Sequence, residues 1–201
     1  MEKLRKLAAQ GDAEALHRLG DIYLEGVPQD YEEAFKNLLQ AAELGLAEAQ
    51  AAIGEMYKNG HGVPKDEEEA VEWYQKAADQ GDPDGQYLLG MAYWLGNGVP
   101  KNSKRATTLL KKAALKGHSE AQSHIACLYQ SGNGVPQDCI EAYKWFTLCG
   151  DAPFGPNLHD YSLYILEELV TAMTPVQIKV AEKLAKAMKR KIDAMKSSSK
   201  A

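Results

Sequence analysis

An all-α solenoid of antiparallel helix pairs, closed by a C-terminal capping pair, is the fold this sequence predicts, and three observations predict it. Pro28, Pro64, Pro100 and Pro136 stand 36 residues apart at every step, and a fixed spacing in this range marks stacked repeats. Apolar residues on both sides of each proline recur at helical spacing and not at a strand's period of two. Residues suited to starting and stopping helices punctuate the chain at the same intervals.

The bulk numbers agree. A chain of 201 residues with 45% hydrophobic and 25% charged residues has the composition of a soluble folded protein. No apolar run approaches the roughly 18 residues of a membrane span. Met1 to Gln10 has no apolar core of signal-peptide length, so the expected location is cytoplasmic, with a periplasmic or host-delivered one open if a leader has been trimmed. The odd set Cys127, Cys139 and Cys149 suits a reducing compartment. The net charge of -5 hides an asymmetry: residues 175–201 carry +6 and the rest -11. An acidic body has a basic tail.

In chain order, 1–10 reads as a partial helix and 11–150 as four repeats, at about 11–44, 45–80, 81–116 and 117–150. A loop and capping helices follow at 151–196, then a disordered tail at 197–201. In the first helix of each repeat, residues such as Ala49, Ile53, Gly54 and Tyr57 share a face. An acid (Glu14, Glu48, Asp84 or Glu120) stands in its first turn, where the helix dipole favours it, and Asp82-Pro83 supplies a cap and a first-turn proline. A Gly/Pro elbow leads to the second helix. Repeat one lacks two elbow residues, so Tyr23 to Tyr57 is 34 residues where later steps are 36.

The second helix starts at Asp30, Asp66, Asn102 or Asp138, and Glu33, Glu69 and Glu141 complete what looks like a capping box. It ends in the pairs Ala41-Ala42, Ala77-Ala78 and Ala113-Ala114, small enough for close helix approach, with Gly45, Gly81 and Gly117 as left-handed stops. Gly150 to Asn157 reads as loop, and a helix is expected from about Asp160 to Met173. Thr174-Pro175 with Gln177 then opens a final helix whose docked stripe is Val180, Leu184, Met188, Ile192 and Met195.

The phrase Ala-Glu-Ala-Gln-x-x-Ile-Gly-x-Met-Tyr-x-x-Gly-x-Gly-Val-Pro-Lys-Asp, from Ala47 to Asp66, is followed by Ala70, Trp73, Tyr74 and Ala77-Ala78. It resembles the Sel-one-like repeat, a relative of the tetratricopeptide repeat. The resemblance covers roughly Ala8 to Gly150, with Gly85, Ala126 and Asn102 as departures. It implies a right-handed α/α superhelix and a non-enzymatic, bacterial-type scaffold or adaptor that binds a protein or peptide in a concave groove lined by the first helices. It names no partner.

On the helical wheel, the side of the first helices farthest from the predicted core carries His17, Asp21, Leu24; Ala51, Glu55, Lys58; Tyr87, Met91, Trp94; and Ser123, Cys127, Gln130. Three triplets are small, polar or mixed, whereas Tyr87, Met91 and Trp94 have the composition of a binding hot spot. The competing expectation is that segment 151–160 or the final helix folds back over that cluster, with Phe154 as its neighbour.

Other chemistry is sparse. Gly96-Asn97-Gly98 follows no strand, and Lys101 lacks phosphate-loop spacing. His17, His61, His118, His124 and His159 show no metal-ligand spacing, and Ser197 to Lys200 matches Ser-x-x-Lys by chance. The basic last helix reads as a solvated cap face, not a nucleic-acid surface. No catalytic set, metal or cofactor is expected. The leading reading is an interaction scaffold. Its alternatives are an inhibitor or immunity-type protein on a cognate enzyme or toxin and, from another class, a β-lactamase-like hydrolase of the kind credited to cysteine-rich relatives, whose paired cysteine pattern is missing. Self-stacking through Leu4 and Leu7 is a further alternative to the favoured monomer.

Overall fold

The computed structural model describes residues 1–26, 28–150 and 156–198, and their side chains outside 150, 156–162, 196 and 198. Eleven α-helices and no strand occur among the described residues, in two compact units, Met1–Asn102 and Ser103–Ala201. Counted by unit, the first carries nine Lys/Arg against nineteen Asp/Glu, a net -10, and the second fourteen against nine, a net +5.

The first unit holds α1 (Glu2–Ala9), α2 (Ala13–Glu25), α3 (Tyr31–Glu43), α4 (Ala47–Asn59), α5 (Glu67–Asp79) and α6 (Pro83–Leu95). Each helix packs on the next, and α4 also touches α6. Ala34, Leu38, Ala41, Ala49, Ile53 and Ala77 are fully buried between them. The glycine of the first-helix face is a contact point: a Cβ on Gly54 would overlap the Tyr74 ring, and one on Gly20 would overlap Leu38. Glycine here lets a large side chain of the next helix lie against bare backbone.

Asp12, Asp30, Asp66 and Asp82 each accept the backbone N–H three residues on, a contact worth about 1 kcal/mol. The reciprocal half of the expected capping box is replaced. The cap N–H of Asp30, Asp66, Asn102 and Asp138 donates instead to the carbonyl of Tyr23, Tyr57, Tyr93 and Tyr129, at 2.8 to 3.0 Å. With that donor taken, the glutamates turn elsewhere: Glu33 pairs with Lys36 at 2.5 Å, and Glu69 and Glu141 accept the indole N–H of Trp73 and Trp145 at 3.0 and 3.2 Å. A complete capping box forms where no such carbonyl is offered, at Thr174: its N–H donates to Gln177 Oε1 at 2.8 Å, and the Gln177 N–H donates to its hydroxyl at 3.3 Å.

The elbows stack on the preceding repeat. Gly62 (φ 71°) and Gly98 (φ 66°) are left-handed, and a Cβ on either would overlap a backbone carbonyl oxygen, of Tyr31 and Glu67 respectively, in the opening turn of the previous second helix. A side chain at these positions is opposed twice, by conformation and by space. A glutamine ladder also links repeats: Nε2 of Gln50, Gln86 and Gln122 donates to the carbonyl of Ala42, Ala78 and Ala114, at 3.1, 3.5 and 3.0 Å. Gly45, Gly81 and Gly117 are left-handed, as expected of helix stops.

The second unit holds α7 (Ser103–Leu115), α8 (Ser119–Ser131), α9 (Cys139–Gly150), α10 (Pro156–Ala172) and α11 (Pro175–Ser198). Helix α9 is its centre, packed by α8, α10 and α11, with Ala142, Trp145 and Phe146 fully buried. Three expectations are revised. Helix α10 begins at Pro156 and not near Asp160, because a proline is pre-shaped for the first helical position. The docked stripe of α11 is Ala181, Ala185, Met188 and Ile192, one step round from the expected one, so Val180, Leu184 and Met195 face outward. Small alanines let α11 approach α9 closely where valine and leucine would hold it off. Helix α11 runs on through Ser198, into the stretch read as tail. Phe154, with the rest of 151–155 in the expected covering segment, lies outside the described residues.

Candidate functional site

A cavity of about 270 Å³ opens in the first unit where the end of α4, the start of α5 and the last turns of α6 meet. Its base is made by the buried Ala70, Tyr74 and Ala92, its sides by the half-buried Val71, Tyr87, Leu88 and Met91, and its mouth by Glu55, Lys58, Glu67, Leu95 and Asn97. Leu95 is 57% exposed, an apolar side chain left in solvent at the rim. The geometry follows from the local sequence. Proline at the start of α6 and the left-handed Gly96 at its end set its length, while Gly98 docks the elbow on Glu67 and so draws α6 and α5 together.

The expected cluster is therefore brought together in part. Tyr87 and Met91 line the cavity beside Glu55 and Lys58, which pair with each other at 3.3 Å. Trp94 is half-buried beside the elbow, with the Lys101 ammonium 5.7 Å from its ring centroid. On α2, His17 Nδ1 lies 3.8 Å from Asp21. On α8, Ser123 is buried, Cys127 and Gln130 are half-buried, and the backbone carbonyls of the latter two accept from Ser131 Oγ and Gln137 Nε2. Ala51 is buried as well, and α4 touches α6, so the face opposite the core is not uniformly open.

Sequence reasoning missed Leu88, Leu95, Val71, Tyr74 and Glu67, because the cavity lies between repeats and the wheel of one helix does not show it. An apolar Leu95 immediately before a helix-ending glycine is the signal that was available. Tyr74 is also unusual electrostatically. Its hydroxyl is buried and makes no hydrogen bond, and burial, with the Glu55 carboxylate adding to it, pushes its pKa far above the ordinary phenol value. It stays a neutral phenol.

Three of the histidines have structural roles or surroundings. His61 stacks on Tyr31 at 4.4 Å, His118 caps α8 by accepting the Ala121 N–H at 3.2 Å, and burial lowers the pKa of His124. Among the described residues no group of three or more His, Cys, Asp or Glu is placed to hold a metal ion. No disulfide joins the cysteines, and no described helix is long and apolar enough to cross a membrane.

The Sel1 repeat model matches at 13–46, 47–82, 83–118 and 119–148, well over half of the sequence. The chain belongs to the Sel1 repeat family. Among solved structures it is similar to a protective antigen of uropathogenic Escherichia coli with an SLR fold, at a TM-score of 0.82 and 29% identity over 98% of this chain. It spans 43% of that protein's length. A Sel1 repeat protein from Oxalobacter formigenes matches at a TM-score of 0.72 and 29% identity, covering 90% of this chain and 83% of that one. A putative Sel1 repeat protein from Klebsiella pneumoniae shares the fold at a TM-score of 0.53 and 22% identity, covering 83% of this chain and 82% of that one. No curated protein matches. Sel1 repeat proteins are generally interaction scaffolds, and the residues that define the repeat here are the ones that build the caps, elbows and glutamine ladder.

Proposed function

We propose that this Sel1 repeat chain is a non-enzymatic adaptor that holds a segment of a partner protein against the first unit, anchored at Tyr87 and Met91. The observation that carries this reading is the cavity itself. Large apolar and amphipathic side chains stand half-buried around an open space that no part of the first unit fills, with a charged rim. Interface hot spots combine Tyr, Trp and Met at a desolvated centre with polar groups around it. Repeat proteins keep the residues that build the fold and vary those that bind, and the cavity residues Tyr87, Met91 and Leu95 have no fixed counterparts in the other repeats. An odd set of three cysteines, which cannot all pair within one chain, fits a reducing compartment as the place of action.

The test is partner capture from the native cell by wild type and by the Tyr87→Ala, Met91→Ala double variant, with melting followed in parallel. Loss of the captured partner while melting stays cooperative is expected. Undiminished capture, or a collapse of stability that makes the two residues core, overturns the reading.

A further inference from the structure

We propose that the segment this cavity receives is cationic, one large apolar side chain flanked by lysine or arginine. The inference rests on the preceding reading of the cavity as a partner site and adds the chemistry of the partner. Size sets the anchor. The cavity, about 270 Å³, falls just below the roughly 300–1,000 Å³ of sites that enclose drug-sized ligands, and it has room for a leucine, methionine or phenylalanine side chain.

Charge sets the flanks. Helix α5 opens with Glu67, Glu68 and Glu69 and adds Glu72 one turn later. At the mouth, Lys58 is paired with Glu55 at 3.3 Å and Lys65 with Glu67 at 2.8 Å, so these two lysines cancel two carboxylates. Glu69 is occupied by the Trp73 indole, while Glu68 and Glu72 remain exposed with no basic partner among the described residues. The partial positive charge of the α5 N-terminus, about half a charge, is outweighed by the first-turn Glu68 and Glu69 that no lysine offsets. Beyond the mouth the whole first unit carries -10, a field that draws cations and repels acidic or phosphorylated segments.

The experiment uses the full chain and fluorescence anisotropy of short labelled peptides with one central leucine flanked by lysines, by glutamates or by serines. The lysine peptide should bind, should weaken about tenfold when its leucine becomes alanine, and should weaken severalfold from low to high salt. A Glu68→Gln, Glu72→Gln variant, both positions being exposed, should bind it severalfold more weakly with melting unchanged. A Val71→Phe variant that fills the cavity should lose it. Serine or glutamate peptides binding as tightly, or no effect of salt and of the glutamine variant, overturns the cationic partner while leaving the cavity as the site. Lysine-peptide binding that survives both Val71→Phe and Met91→Ala overturns the cavity and the inference with it, and failure of every peptide to bind overturns the inference.

Discussion

Replacing Gly98 by alanine probes how successive repeats are locked, and a neighbouring glycine supplies the control. Both Gly96 and Gly98 are left-handed, at φ 84° and 66°. At Gly96 the nearest atom to a new Cβ is the Lys101 Cβ at 3.4 Å, an ordinary contact, so Gly96→Ala meets only the conformational penalty, about 1–2 kcal/mol. At Gly98 the new Cβ overlaps the Glu67 carbonyl oxygen, which belongs to a helix and cannot swing away, so the elbow must retreat from α5. Loss of that packing raises the expected cost to about 3–4 kcal/mol. Urea denaturation followed by far-ultraviolet circular dichroism reads the difference. Equal losses in the two variants would mean that the elbow does not bear on the preceding helix.

Three further outcomes follow from single side chains. Tyr74→Phe removes a buried hydroxyl that makes no hydrogen bond, so stability should hold or rise by up to about 1 kcal/mol by thermal melting; a clear loss would reveal a partner for that oxygen. Glu141→Ala should cost about 3 kcal/mol by urea denaturation, because it strands both the Trp145 indole and the ammonium of Lys144, which is buried on α9 and 2.5 Å from Glu141, whereas a Lys144→Met, Glu141→Gln double variant, which removes both charges and keeps an acceptor for the indole, should be nearly neutral. Burial lowers the folded-state pKa of His124, so below its ordinary value of 6.5 the unfolded chain takes up the proton first. Stability should be steady above neutrality and fall as pH drops below about 6.5, and the fall should be smaller in a His124→Asn variant measured across the same pH series.

The fold was readable because each repeat states it several times. Proline spacing, helix-start aspartates and helix-stop glycines are local signals, and Asp30, Asp66 and Gly45 act where those signals place them. What escaped depends on neighbours in space. The capping-box glutamates look correct in sequence, yet the Tyr23, Tyr57 and Tyr129 carbonyls reach the cap N–H first. On α11 the larger Val180 and Leu184 outranked Ala181 and Ala185 by hydropathy, although close packing against α9 favours the alanines. The site shows the same division. Tyr87 and Met91 stood out as departures from the repeat, but Leu88, Val71 and Tyr74 join them only across helices, and Trp94 turns to Lys101.

Photo-crosslinking in the native cell from a benzophenone side chain at position 91 tests most directly whether the Tyr87–Met91 cavity receives a partner. The control carries the same group in place of Arg18, an exposed residue of α2 remote in sequence from the cavity. A discrete adduct from position 91, absent from position 18 and lost when Val71→Phe fills the cavity, is the predicted result. No adduct at 91, or the same adducts from both positions, would contradict it.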